Sequence, residues 1–163
     1  MPRGRADIAN TALRIFLQEM GTAYDEERGL QPYRDSRDLA AVKDFFCQRC
    51  CYCDVDFASM SAVQDHLIPM NKTDLGLHAW GNIVPACRDC NARKQRSDWR
   101  DFIIERPGSH APERHARVRD FLSEYRYQPG LDLREIAEEL YEEVGGIAMI
   151  LITSKIRRVR NRL

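Results

Sequence analysis

The chain has 163 residues, 44% hydrophobic and 31% charged, with few Pro or Gly. That excludes a disordered or collagen-like protein and leaves room for one ordinary domain, or for a small motif with helical additions. Lys and Arg number 25 against 25 Asp and Glu, so the molecule as a whole is no basic nucleic-acid glue.

The first twenty residues carry charges throughout and lack the apolar run of a secretory signal. The longest apolar run, Val144 to Ile152, is far shorter than the roughly 20 residues of a membrane span, so a cytoplasmic protein outside the membrane is expected. Ile8, Ala12, Leu13, Phe16, Leu17 and Met20 recur at helical spacing and predict an amphipathic helix that stops at Gly21, followed by a loop. Ser36 is the expected N-cap of a second helix carrying Leu39, Val42, Phe45 and Phe46, which leads into the stretch CQRCCYC.

That stretch holds four of the six cysteines, and the other two are Cys87 and Cys90. In a reducing compartment disulfides rarely persist, so closely spaced thiols point to metal. Cys50 with Cys53, or Cys47 with Cys50, forms one CxxC knuckle, and Cys87 with Cys90 forms the other. Two knuckles supply the four thiolates of a closed, structural zinc site. Spacing does not choose between Cys47 and Cys53, and Cys47 and Cys51 read best as buried small hydrophobes.

From Tyr52 to Pro85 short β-prone pieces around HLI and NIV flank a turn-rich loop, which predicts a hairpin. NARKQRSDWRDFIIER then places Trp99, Phe102 and Ile103 on one face of a helix that ends by Pro107 and Gly108. A further helix around Val118, Phe121, Leu122 and Tyr125 stops before Pro129 and Gly130. From Leu133 through Ile136, Ala137, Leu140, Val144, Ile147 and Leu151 a near-heptad pattern crosses Gly145 and Gly146, acidic in its first half and basic from Lys155 to Arg162. Its apolar middle predicts burial, within the chain or against a protein partner or a second copy.

The segment between the knuckles holds Asp65, His66, Asn82 and, just beyond, Asn91. A carboxylate, an imidazole and two carboxamides suit one hard divalent cation beside a general base, with His66 near its usual pKa and partly neutral. Arg88, Arg93, Lys94, Arg96 and Arg100 follow, and Arg93 and Lys94 are the first candidates to touch a nucleic-acid backbone. His78 reads as a packed loop histidine, and Trp80 and Trp99 as core anchors. His110 and His115 lack the HExxH spacing and receive no role.

The string from Cys50 to Ile103, with CYC, DH followed by an apolar pair and Pro, GNIVPAC and CRDCNARK, closely resembles the HNH nuclease family in its zinc-stapled form. The resemblance implies an α+β, mostly helical fold: a ββα-metal motif in 47–106, stapled by a four-cysteine zinc site, between helical segments 1–46 and 107–163. Its register selects Cys50, Cys53, Cys87 and Cys90 for zinc. It implies that Asp65 and Asn91 hold a catalytic Mg²⁺ or Mn²⁺, that His66 is the general base, and that Asn82 orients the hairpin loop. Asn91 stands where the family often has histidine, which makes an HNN variant that favours oxygen-seeking metals. The implied activity is hydrolysis of DNA phosphodiesters to 5′ phosphate and 3′ hydroxyl, in the setting of a bacterial defence or restriction system. The other reading is a non-catalytic zinc module that binds nucleic acid or a partner protein.

Overall fold

The computed structural model describes residues 4–106, 110–128 and 132–160. The expected stops at Pro107, Gly108, Pro129 and Gly130 and the terminal Arg162 lie outside the described residues.

The first helix, α1 (Arg5–Glu27), does not stop at Gly21 but runs through it. Gly21 lies flat against the backbone of His78, and a Cβ there would collide with the His78 carbonyl. The glycine marks a close approach of two chain segments, not a helix end. The connecting loop is correspondingly shorter than expected, and α2 (Asp35–Phe45) is capped by Arg34 instead of Ser36. Asp38 supplies the capping acceptor from inside the helix, taking the Arg34 amide at 2.7 Å.

The hairpin forms from β1 (Val63–His66) and β2 (Ile83–Ala86), antiparallel in the register Val63 with Ala86 to His66 with Ile83. β1 thus ends where the sequence placed its start, at His66. The single helix expected after Cys90 is two, α3 (Arg88–Lys94) and α4 (Trp99–Glu105). Gln95 takes a left-handed φ of 46°, and Asp98 restarts the helix by accepting the Arg100 amide at 2.7 Å. Then come α5 (Ala111–Glu124) and the long α6 (Arg134–Arg160). The architecture is α+β and mostly helical.

Side chains gather in two cores. One joins α2, the hairpin, α4 and α5 through Val42, Phe46, Tyr52, Ile83, Val84, Trp99, Ile103, Val118 and Phe121. The other joins α1, the hairpin loop and the first turns of α6 through Leu13, Leu17, Leu77, Tyr127, Leu133 and Ala137. α1 and α6 run antiparallel, with Arg5 bonded to Glu142 at 2.8 Å. Only part of the predicted α6 pattern is covered: Leu133 and Ala137 are buried, whereas Ile136, Ile147 and Leu151 are exposed.

Asp25 ties the cores together. Fully buried at the end of α1, it accepts the Tyr33 amide at 3.0 Å and the Trp80 amide at 3.1 Å, and pairs with Arg28. Arg28 in turn donates to the carbonyls of Trp80 and Tyr125. Trp80 stacks on Tyr125 and Trp99 is buried, so both tryptophans do pack. No helix among the described residues is long and apolar enough to cross a membrane.

Candidate metal centre and active site

The first knuckle is a tight turn after α2. The Cys50 amide donates to Val55 and the Asp54 amide to Cys50, both at 2.9 Å, with Asp54 at a left-handed φ of 62°. The second knuckle opens α3, where the Cys87 sulfur caps the helix by accepting the Cys90 amide at 3.4 Å. The Cys87 amide reaches across to the Cys50 sulfur at 3.3 Å, and the Cys51 amide bonds Pro85 at 3.0 Å, which stitches the knuckles together through β2.

The Sγ atoms of Cys50, Cys53, Cys87 and Cys90 all lie within 4.8 Å of one another, with Cys53 and Cys87 at 3.9 Å. A tetrahedral zinc with bonds of about 2.3 Å needs sulfurs ~3.8 Å apart, so these four fit that ion. Without a cation the four thiols cannot all ionise. Hydrogen bonding with Cys53 pushes Cys50 up to about 12, and Cys90 rises too, while bonds from Cys50 and Cys90 draw Cys53 down to about 2. A divalent ion removes that conflict by binding all four as thiolates. Of the two cysteines left over, Cys51 is buried as expected. Cys47 is instead exposed, because it sits in a left-handed turn (φ 54°) that swings it out beyond α2.

Asp65 and His66 are neighbours on β1, and the pleat sends their side chains to opposite faces. On the α3 side, Asp65 accepts the Tyr52 hydroxyl at 2.7 Å and lies 3.6 Å from the Lys94 ammonium. Burial pushes its carboxyl up, against the opposing pull of Lys94 and Tyr52. Lys94 is 0% exposed and also donates to the His66 carbonyl at 2.7 Å. It is therefore not the surface cation expected to meet a nucleic-acid backbone: its stem is sealed in the interior and its charge is spent on β1. Asn91 stands one turn before Lys94 on the same face of α3, half-buried, and its carboxamide takes no hydrogen bond among the described residues. Arg93 is exposed and bonded to Asp89 at 2.7 Å.

On the other side, Gln64 and His66 line a cleft of about 420 Å³ together with Thr11, Arg14 and Gln18 of α1, Asp35 of α2, and His78. His66 Nε2 lies 3.1 Å from His78 Nδ1, and His78 Nε2 lies 2.8 Å from Asp35 Oδ1. Burial is the first cause holding His66 low, down to about 3, reinforced by His78, Arg14 and Lys94. His78 is lowered by burial as well, against the pull of Asp35. Both rings are thus neutral with one proton each. Asp35 accepts a hydrogen bond from the His78 Nε2–H, so His78 Nδ1 accepts from His66 Nε2, which leaves His66 Nδ1 as a bare acceptor.

Asn82 is fully buried at the foot of β2. Its oxygen accepts the Ile68 amide at 2.8 Å, and its nitrogen donates to the carbonyls of Ile68 at 3.0 Å and Leu77 at 2.8 Å. It closes the two ends of the hairpin loop onto each other. The structure thus gathers Asp65, Lys94 and Tyr52, places Asn91 one turn before Lys94 on α3, and sets His66 with His78 and Asp35. No hydrogen bond joins the His66 ring to the side chain of Asp65 or Asn91 among the described residues. Sequence reading missed Tyr52, Asp35 and Arg14 and set His78 aside. The one signal for His78 was its apolar setting, GLHAW, where the flanking Leu77 and Ala79 are buried.

Residues 50–103 match the family model described as HNH endonuclease, about a third of the chain. That match and the four-sulfur cluster, which has the geometry for one zinc ion, make this segment similar to HNH endonucleases of the zinc-stapled form. No curated protein and no solved structure matches the chain.

Proposed function

We propose that the chain is a metal-dependent endonuclease that hydrolyses DNA phosphodiesters. The observation that supports it most is the HNH match, whose span contains Asp65 and His66 on β1, Asn82 at β2 and Asn91 on α3. Cys50, Cys53, Cys87 and Cys90 would hold a structural zinc. Asp65 and Asn91 would hold Mg²⁺ or Mn²⁺, which suits a buried carboxylate and a carboxamide that takes no hydrogen bond among the described residues. Held there, such an ion would supply Lewis-acid stabilisation of the charge that develops during phosphodiester hydrolysis.

His66 acts as the general base through Nδ1, because its other nitrogen is engaged by His78. Its lowered pKa keeps Nδ1 free of a proton across the neutral range. Asp35 and His78 fix the ring and its tautomer. Arg14, on the cleft wall beside His66, takes the place intended for Lys94 as a phosphate contact, and Arg96 borders the next cleft along with Arg14. The setting we attach to this activity is a bacterial defence or restriction system.

Plasmid nicking with Mg²⁺ or Mn²⁺, blocked by EDTA, is the expected result. His66→Ala should lower the rate by about 10²–10⁴-fold with zinc content unchanged. Undiminished cutting by that variant refutes the assignment. The placement of His66 and Asp65 on opposite faces, with Lys94 beside Asp65, favours the second reading, a zinc module that binds nucleic acid without cutting it. DNA binding with no cleavage under any divalent ion would establish that reading instead.

A further inference from the structure

We propose that the C-terminal half of α6 is a self-association surface on which a second copy of this chain docks its own α6 antiparallel. Beyond Gly145 the helix leaves α1 behind, and every residue from Met149 to Arg158 is exposed, Ile150 at 71%. The two adjacent glycines differ in a telling way. A Cβ on Gly145 would come within 2.8 Å of the Arg5 side chain, so the chain's own α1 already fills the space beside that glycine. A Cβ on Gly146 would meet nothing within 4 Å. A glycine inside a helix costs about 1 kcal/mol relative to alanine, and nothing in this chain asks for it at 146. A second helix approaching closely at that point does.

Glu139, Glu142, Gly146, Met149, Ile150, Thr153, Arg157 and Arg160 follow one another at three or four residues along α6, with Met149 and Ile150 adjacent at the centre. They form one stripe on the side away from Leu133 and Ala137. The stripe is acidic at one end, small and apolar in the middle and basic at the other, and a groove on it is lined by Met149, Ile150, Thr153, Ser154 and Arg157. A two-fold axis between Met149 and Ile150 pairs Glu139 with Arg160 of the second copy and Glu142 with its Arg157. The same axis sets Gly146 opposite Thr153. A parallel pairing would oppose acid to acid and base to base, so charge selects the antiparallel one. Glu142 also holds Arg5 within its own chain, but both side chains are exposed, where such a pair is weak. This inference does not depend on the nuclease reading; if both hold, the dimer brings two active sites into one particle.

The test is sedimentation velocity on the full zinc-loaded chain. The natural protein should sediment as a dimer at micromolar concentration. E139R/E142R makes the stripe basic throughout and R157E/R160E makes it acidic throughout. Each alone should dimerise at least tenfold more weakly, with helical circular dichroism unchanged, and an equimolar mixture should recover a dimer, now of unlike copies. Gly146→Leu, which favours the helix while filling the close approach, should weaken association at least tenfold. A natural protein that stays monomeric at millimolar concentration overturns the proposal. So do reversal variants that self-associate normally, a mixture that stays monomeric, or a Gly146→Leu variant that dimerises as well as the natural chain.

Discussion

The half built around the four-cysteine cluster and the α1–α6 pair solve the same problem by different means. In the first, a small core around Phe46, Tyr52, Ile83 and Trp99 is closed by four sulfurs brought from two turns that lie far apart in the sequence. In the second, there is no cross-link, and two long helices share a seam of Leu13, Leu17, Leu133 and Ala137 that stops partway along α6. The candidate site residues Asp65, His66, Asn82 and Asn91 all lie on the four-cysteine half. The helical pair contributes the cleft wall with Arg14 and an uncovered end.

The largest expected effect is metal removal. In small zinc domains the binding free energy, on the order of 10 kcal/mol, is also folding free energy. A strong chelator, or Cys90→Ser, should abolish amide-exchange protection in β1, β2 and α3 while α1 and the first turns of α6 keep theirs. Equal loss in both halves would show that the contrast is false. Next is Asp25, the joint between the halves. Asp25→Ala strands the buried Arg28 charge and two amides, at a cost of about 3–5 kcal/mol read from the denaturation midpoint. Fluorescence from the tryptophans and helical circular dichroism should then no longer fall together.

A smaller effect is expected at Gly21. Alanine is the better helix former by about 1 kcal/mol, yet the collision with the His78 backbone should make Gly21→Ala destabilising by ~1–3 kcal/mol. A gain in melting temperature would disprove the close approach. The smallest concerns the cap of α2, where Asp38→Ala should cost about 1 kcal/mol. Chiefly a hydrogen bond from Arg37 holds the Asp38 carboxyl below the usual range. A lowered native pKa gives stability that is present above about 3.9, the unfolded value, and is lost as pH falls through the native one. The difference between the natural protein and Asp38→Ala should therefore shrink below pH ~4, as read by urea titration across pH.

Much of the four-cysteine half was legible because its determinants are local. A CxxC pair and a β-prone run each act over a few residues, so the knuckles with Cys50, Cys87 and Cys90 and the hairpin between them could be read directly, and the family resemblance then picked Cys53 over Cys47. Errors fell where a distant segment decided the outcome. Gly21 has the identity of a helix stop and serves as a contact because His78 lies against it. One error was local instead: the helix after Cys90 has an unbroken pattern, yet Gln95 turns left-handed and Asp98 caps a new helix through the Arg100 amide. Lys94 has the look of a surface cation within RKQR, and only its position beneath β1 reveals it as buried.

The amino-acid order alone determined the two cysteine knuckles, a hairpin between them and the helical character of both ends, since each follows from short-range spacing of side-chain types, while the choice of Cys53 over Cys47 and the ββα register came from the family resemblance. Only the tertiary structure decided that Lys94 lies buried against Asp65, that Asp35 and His78 stand behind His66, and that α6 outruns its partner. Those outcomes depend on which backbone surfaces meet, and a one-dimensional pattern of residues does not encode the distance between segments that become neighbours only when the chain has folded.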